Sequence, residues 1–570
     1  MPMKSISRLA LAVLGLLAPA SAGADELDSN LPIFVIHTEA AINAADKVRG
    51  TMKVVDNGEG QRNHSTDTTA NYNGYVGIKW RGNSSLSFDQ KKYTLETQDA
   101  EGNDLKTSLL GMPEESDWVL LAPYNDISLV RDVFAFSLWN EMGHWGPRTR
   151  MCEVIVNDEY MGVYIFCEKI KRDKNRVDIA KLKTDDTADR PLTGGYIVRV
   201  DAFDEEDATF TSRVKGLQTG MWGGAQQGGT VTWTVYYPKK ADLQPEQKSY
   251  IEQFVAQMEQ SFQAANFADP DEGYARWINV PSFVDYFIHT ELSLNADGFK
   301  RSSYFFKDKD KKDGTLSKME AGPVWDFNLA YGNCNFCNAN NPEAWVYEGC
   351  NTNPTPVFWK KLTSDPRFMS AVRERYAQLR QTLLSKERID QFFDDYAALL
   401  SEAKDRHYAK YSNLLSSGGS QQGGGGWPWG WPWGGGTMNP VAQFAAYTVA
   451  SYEEEIQTVK EWFARRLAFL DRSWGYDATA SIEAPEGYFS VKASISGSGQ
   501  LTVESDRPLL GIEVFSLGGN RLASLRPSAG SLRQRFLLPP RCTSSSMPLI
   551  VACHAADGSY ITYKIRMTAR

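Results

Sequence analysis

The chain has 570 residues, a net charge of −9, and a composition that is 42% hydrophobic, 23% charged and 12% aromatic. That much apolar material supports large cores, excludes a disordered or fibrous chain, and fits roughly three or four domains of ~150 residues. An acidic chain without a basic stripe excludes a nucleic-acid binder and leaves a cation site open.

Lys4 and Arg8 precede an apolar run from Leu9 to Ala18, and small residues follow through Ala24. This is the pattern of a secretory signal peptide over residues 1–24. No later run reaches the ~18 apolar residues of a membrane span, so the expectation is a protein outside the cytoplasm, secreted or at the cell surface, with no transmembrane segment.

Pro32 to Ile36 reads as a strand, as do Gly74 to Trp80 and the alternating run Lys92 to Thr97. Asn125-Asp126 reads as the cap of a helix carrying Leu129, Val133, Phe136 and Leu138, stopped by Gly143. Glu153 to Val156 and Met161 to Phe166 read as a hairpin. With Asn157-Asp158 as a two-residue turn, Cys152 faces Val163, so no bridge to Cys167 is expected. Tyr196 to Val200 is one more strand.

Composition shifts near residue 241. Pro245 opens a helix with Ile251, Phe254, Val255, Met258 and Phe262 on one face, and a second helix starts at Ser282. Ser303 to Lys307 reads as a strand, Lys309 to Gly314 as a charged hairpin tip, and Pro323 to Phe327 as an apolar strand ending at Asp326. Phe368, Val372, Tyr376 and Leu379 mark another helix, and a last long one runs to about Ser473. Residues 416–437 alternate Gly, Trp and Pro and read as a mobile surface loop that docks sugar or a partner, or as a plain flexible insertion. From about 479 onward, short strands and turns read as a small β-sandwich.

Seven cysteines follow the leader, so at least one lacks an intrachain partner. Cys334 and Cys337 form a CxxC with Cys350 nearby. No second pair supplies four zinc ligands, so a local disulfide is expected there. Cys542 and Cys553 are a second candidate pair.

GxSxG, HExxH, P-loop, Rossmann and ordinary protein-kinase signatures are absent, and the six histidines show no ligand spacing. What remains is Asp297 in Asn-Ala-Asp-Gly after a helix and Asp326 in Pro-Val-Trp-Asp-Phe, on either side of a hairpin. Such a pair suits a hard cation shared with phosphates, or one carboxylate accepts a hydroxyl proton while the other holds metal. The plain alternative is a helix-ending turn and a loop cap.

Five ordered blocks resemble the CotH family of spore-coat-protein-H-like atypical kinases across about residues 31–475. They are Arg81-Gly82-Asn83-Ser84-Ser85 with Lys91-Lys92-Tyr93, then Trp118 to Asp126 with Leu129-Val130-Arg131-Asp132, then Gly162-Val163-Tyr164 with Glu168 to Asp173. The last two are Glu291-Leu292, Asn295 and Asp297-Gly298 with Ser303-Tyr304, and Gly322 to Phe327 with Gly332-Asn333. The resemblance implies an α+β, diverged two-lobed protein-kinase-like fold, with a β-rich lobe over 31–240 and a mainly helical lobe over 241–475. The sandwich over 479–570 follows. It implies ATP with Mg or Mn and transfer to Ser or Thr of an extracytoplasmic protein. Lys92 then neutralises nucleotide phosphates, with Arg81 and Ser84 beside the nucleotide. Glu168 partners that lysine or the metal, and Arg131 lies on a helix near the site. Asp297 is the catalytic-loop carboxylate and Asp326 the metal ligand. Asn328 stands where the family carries a second Asp, keeping an acceptor oxygen and losing the charge. This departure supports a second reading, a non-catalytic surface module that binds glycan or matrix through 416–437 or 479–570. The C-terminal segment also resembles the sorting domain of type nine secretion, through Ile512 to Gly519 and Tyr560 to Met567, which would take the protein through the outer membrane of a Bacteroidetes-like cell.

Overall fold

A computed structural model describes residues 27–218, 227–349, 353–415 and 446–477, together with shorter stretches between 491 and 565. The leader and the 416–437 run lie outside the described residues.

Seven strands close into a barrel in the order Ile33–Thr38, Val48–Val55, Tyr72–Arg81, Lys92–Gln98, Asp117–Leu121, Glu159–Glu168 and Thr149–Val156. Neighbours are antiparallel except at closure, where Ile33–Thr38 runs parallel to Thr149–Val156. Alternate residues fill the interior: Phe34 and Ile36, Met52 and Val54, Val76 and Ile78, Tyr93 and Leu95, Trp118 and Leu120, Tyr164 and Phe166. That is the period of two that each strand's pattern carries. Strands 117–121 and 159–168 are buried on both faces. Their outward residues Val119, Leu121, Val163, Ile165 and Cys167 join a second, larger core, which is why their sequences run apolar without alternation.

Asn157 and Asp158 both have positive φ, +49° and +64°, and form the expected turn. A register shift at Val154/Ile155 places Cys152 opposite Tyr164 rather than Val163. Cys152 and Cys167 remain thiols, as expected.

The helix expected from Asn125-Asp126 begins later, at Arg131, and ends at Glu141; it is α1 below. The Asp126 carboxylate caps it from outside, accepting the N–H groups of Ser128 at 3.0 Å and Arg131 at 2.8 Å. The larger core continues from α1 through the helices Pro245–Ser261, Val280–Ser293, Pro366–Arg380 and Tyr452–Trp474. It also covers a five-stranded antiparallel sheet in the order Ala208–Thr211, Thr232–Tyr237, Tyr196–Val200, Ser303–Lys307 and Met319–Ala321. Tyr196–Val200 pairs with Ser303–Lys307, so this sheet crosses the composition shift near residue 241. Residues 323–327 are loop rather than strand; the hairpin's second strand is the short Met319–Ala321.

The architecture is mixed α and β. Beyond residue 490, two antiparallel sheets of three and four strands share one apolar cluster, including Val491, Leu501, Val503, Ile512, Val514 and Val551. Cys542 and Cys553 are both buried there and no bridge joins them, contrary to expectation. Cys337 is disulfide-bonded while Cys334 is a buried thiol, so the CxxC does not close on itself. Among the described residues, no helix is long and apolar enough to cross a membrane.

Candidate functional site

The register of the barrel sets Arg81 directly opposite Lys92 on adjacent strands. Two like charges side by side repel unless something anionic lies between or beyond them. The loop after the Ser303–Ala321 hairpin supplies it. Lys92 Nζ lies 3.3 Å from Asp326 Oδ1, and the Arg81 guanidinium sits over the Trp325 ring at 5.0 Å. Trp325 in turn stacks on Phe136 of α1. Gly322 brings this loop in, since a Cβ there would lie 2.7 Å from the Trp139 ring. Ser84 is exposed on the turn that follows Arg81.

Asp297 approaches from the other side of the hairpin, in the turn after the Val280–Ser293 helix. One side chain ties both carboxylate loops together. Asn295 Oδ1 accepts the N–H of Asp297 at 3.1 Å, and Asn295 Nδ2 donates to the carbonyl of Asp326 at 3.2 Å.

The electrostatics show a shortage of positive charge. Burial raises the Asp297 carboxyl above its ordinary value, with Lys300 and Arg301 opposing and Asp326 and Asp201 adding to the shift. Asp201 is raised by burial and by Asp326, against Arg199. Asp132, 3% exposed in the first turn of α1, is pushed up to about 7 by burial and the charge of Asp326, with Lys92 opposing. Lys300 is buried, donates to the Ala296 carbonyl, and is lowered to about 8 by burial. Three carboxylates thus feel the charge of Asp326 despite its contact with Lys92.

Asp326 itself is one-third exposed and offers an open oxygen. Asn328 donates Nδ2 to Asn125 Oδ1 at 2.9 Å, which turns its own Oδ1 away from that bond and leaves it a neutral oxygen donor. Asn333 braces the pair through the carbonyls of Asn125 and Asn328. Among the described residues there is no group of three or more His, Cys, Asp or Glu placed to hold a metal ion. An oxygen-only, incomplete donor set of this kind fits a hard divalent cation that takes its remaining ligands from a phosphate and water.

Two expected site residues spend their side chains on other protein groups. Arg131 is fully buried, and its guanidinium donates to Asp126, Glu455, Tyr447 and the Ala330 carbonyl, leaving no face for a substrate. Glu168 is neither the partner of Lys92 nor a candidate metal ligand. Its carboxylate takes the fork of Arg148 at 2.6 and 2.8 Å, with Arg176 at 3.7 Å. Conversely, Asp132 and Asn295, quoted in the family blocks without a role, and Asp201 and Lys300, not singled out, belong to the neighbourhood. Asp132 adjoins Arg131 in sequence, and the helical turn directs the two side chains to different partners.

A family model described as CotH kinase protein matches residues 78–470, which include every residue of this cluster. No curated protein matches the chain.

Proposed function

The chain belongs to the CotH kinase family, and from that premise we propose that it is an extracytoplasmic protein kinase transferring the ATP γ-phosphate to Ser or Thr with a divalent cation, Mg or Mn. The observation that carries this reading is the gathering of Asp132, Asp201 and Asp297 around the half-buried Asp326, where the three stay raised despite Lys92, Arg199 and Lys300 nearby.

Asp326, with Asn328 Oδ1 as a neutral companion, would hold the cation, which supplies charge neutralisation on the phosphates when bound. Lys92 then exchanges its contact with Asp326 for a phosphate oxygen, and Arg81, stacked on Trp325, adds a second positive charge from the adjacent strand. Asp297 takes the acceptor's proton. Its hydroxyl oxygen forms the new bond to the γ-phosphorus as the bond to the β-phosphate oxygen breaks, and ADP leaves. A carboxylate raised by burial is a stronger base than one in water. The two-lobed arrangement, the export of the chain and a terminal sandwich that sorts or attaches it belong to the same proposal.

The loss of charge at Asn328 favours a second reading, a surface module of kinase-like fold that has kept the architecture and binds glycan or matrix. Calorimetry with ATP and manganese, followed by transfer of labelled phosphate to casein or to the chain itself, separates the two. Nucleotide binding that requires the divalent cation supports the kinase. Absence of ATP binding with every divalent cation, together with retention on glycan, overturns it.

A further inference from the structure

The peptide unit joining Asp326 to Phe327 is held at both ends by side chains from distant elements. Its carbonyl accepts Asn295 Nδ2 at 3.2 Å, and its N–H donates to Asp132 Oδ1 at 2.5 Å. Both side chains are almost fully buried, at 4% and 3% exposure. Asp326 has φ of +67°, the left-handed region that an L-residue with a Cβ enters at a cost of about 1 kcal/mol or more. Leu294, Phe299, Ser302 and Tyr331, in the same pair of loops, are left-handed as well. Such a conformation persists only where its surroundings impose it, and these two hydrogen bonds hold the peptide that follows Asp326.

The preceding residue of the helix works on the same loop. Arg131 Nε donates to the Ala330 carbonyl at 3.1 Å, while its NH1 holds Glu455 of the Tyr452–Trp474 helix at 2.7 Å. The first turn of α1 therefore grips the loop at Phe327 and at Ala330, and is itself moored to the longest helix among the described residues.

We propose that the first turn of α1 is the positioning device of the cation-binding carboxylate: Asp132, with Asn295, clamps the Asp326–Phe327 peptide so that the Asp326 side chain faces Lys92 and the cation, and displacement of α1 switches the site off. Asp132 is a positioning residue, since its buried carboxylate reaches the site through the backbone of Phe327. The inference rests on the reading of Asp326 as the cation's ligand. It also makes α1 the route by which anything that moves the Tyr452–Trp474 helix regulates the site.

The test uses the full chain and four variants: Asp132→Ala, Asp132→Asn, Asn295→Ala and the Asp132→Ala/Asn295→Ala pair. Manganese binding in the presence of ATP is followed by electron paramagnetic resonance of the free ion. Amide hydrogen exchange at Phe327 is measured without nucleotide, and unfolding is recorded for each. Asp132→Ala is expected to weaken manganese binding by about 10- to 100-fold, the range for residues that orient a metal ligand, and to speed exchange at Phe327. Asp132→Asn keeps an acceptor oxygen for the Phe327 N–H, so it should lose clearly less manganese affinity than Asp132→Ala and leave exchange at Phe327 slow. Because both side chains hold one peptide, the double variant should bind no more weakly than the weaker single one. Equal losses in the Ala and Asn variants, additive losses in the pair, or unchanged exchange at Phe327 overturn the clamp. If Asp132→Ala fails to fold, Asn295→Ala tests the same peptide from its other end. Wild-type protein that binds no manganese with ATP overturns the cation reading itself, and the Phe327 exchange still reports on the clamp.

Discussion

Two clusters of charge sit on the barrel, built from the same residue types, and they are in opposite electrostatic condition. In the first, Lys171 pairs with Glu115 at 2.9 Å and Asp117 at 2.8 Å, Lys169 with Asp117 at 3.0 Å, and Arg148 with Glu168 at 2.6 Å. Burial presses Asp117 and Glu115 upward, yet Lys169 and Lys171 outweigh it at Asp117, Lys171, the Ser116 N–H and Arg176 outweigh it at Glu115, and both carboxyls lie below their ordinary values. In the second, Lys92 pairs with Asp326 and Arg199 with Asp201, yet Asp132, Asp201 and Asp297 are all raised. A cluster whose carboxylates are all compensated is structure. One whose carboxylates stay raised despite nearby cations carries an excess of negative charge that a bound cation would relieve.

Removing the centre of the uncompensated cluster should have the largest effect. Asp326→Asn is expected to abolish cation-dependent nucleotide binding and phosphate transfer together. Asp297→Asn should leave binding intact and cut turnover by ~10²–10⁴-fold. Calorimetry beside single-turnover transfer reads both, and equal binding losses in the two variants would dissolve the division of roles.

The next largest effect belongs to the compensated cluster and to stability. Glu168→Gln leaves Arg148 and the buried Arg176 without their counter-charge, so the chain should lose roughly 3–5 kcal/mol in urea unfolding. Nucleotide binding per folded molecule should hold. A normal unfolding midpoint with lost nucleotide binding would return Glu168 to the site.

The two clusters should also answer pH with opposite sign. Asp132 is raised to about 7, so between its unfolded value and that pH the folded chain keeps a proton that the unfolded chain has released. Its contribution is fully present in acid and is lost as pH rises through about 7. Asp132→Asn should therefore gain on the wild type by ~1–3 kcal/mol at pH 8.5 and little at pH 5. Glu115 and Asp117 are lowered, so their contribution is present above their unfolded values and is lost as pH falls through the folded ones. Asp117→Asn should be less stable than the wild type at pH 7 and converge with it in acid. Unfolding midpoints across pH check both, and parallel curves would erase the contrast.

The smallest expected change is at Asn328. An Asp there restores a charge to the donor set but cannot donate to Asn125 Oδ1, so Asn125 must turn its amide to offer Nδ2 instead. Manganese affinity with ATP should rise by only about two- to fivefold, part of the gain being spent on that rearrangement. A weaker site in Asn328→Asp would show that the Asn125–Asn328–Asn333 network matters more than the charge.

The local patterns determined much of the fold. Alternation marks the barrel strands because one face meets the interior, and Asn157-Asp158 marks its turn because both residues tolerate positive φ. The hairpin with Asp297 and Asp326 at its two ends was legible because strand, charged tip and following loop are adjacent in sequence. The α1 boundary was less so, since its cap is a side chain five residues before its first N–H, and the strand expected at 323–327 was not, since its apolar residues pack against α1 and the larger core without pairing. What tertiary structure alone decided is which charge meets which. Lys92 and Asp326 lie 234 positions apart, Asp132 and Phe327 195, and Arg131 and Glu455 324. Neighbours in sequence, Arg131 and Asp132, went to different tasks because a helix turns successive side chains about 100° apart. Sequence sets the chemistry of each side chain and the period that buries it. Whether a carboxylate is compensated or left waiting for a cation depends on Coulomb fields that fall off over a few ångströms of space, whatever the distance along the chain.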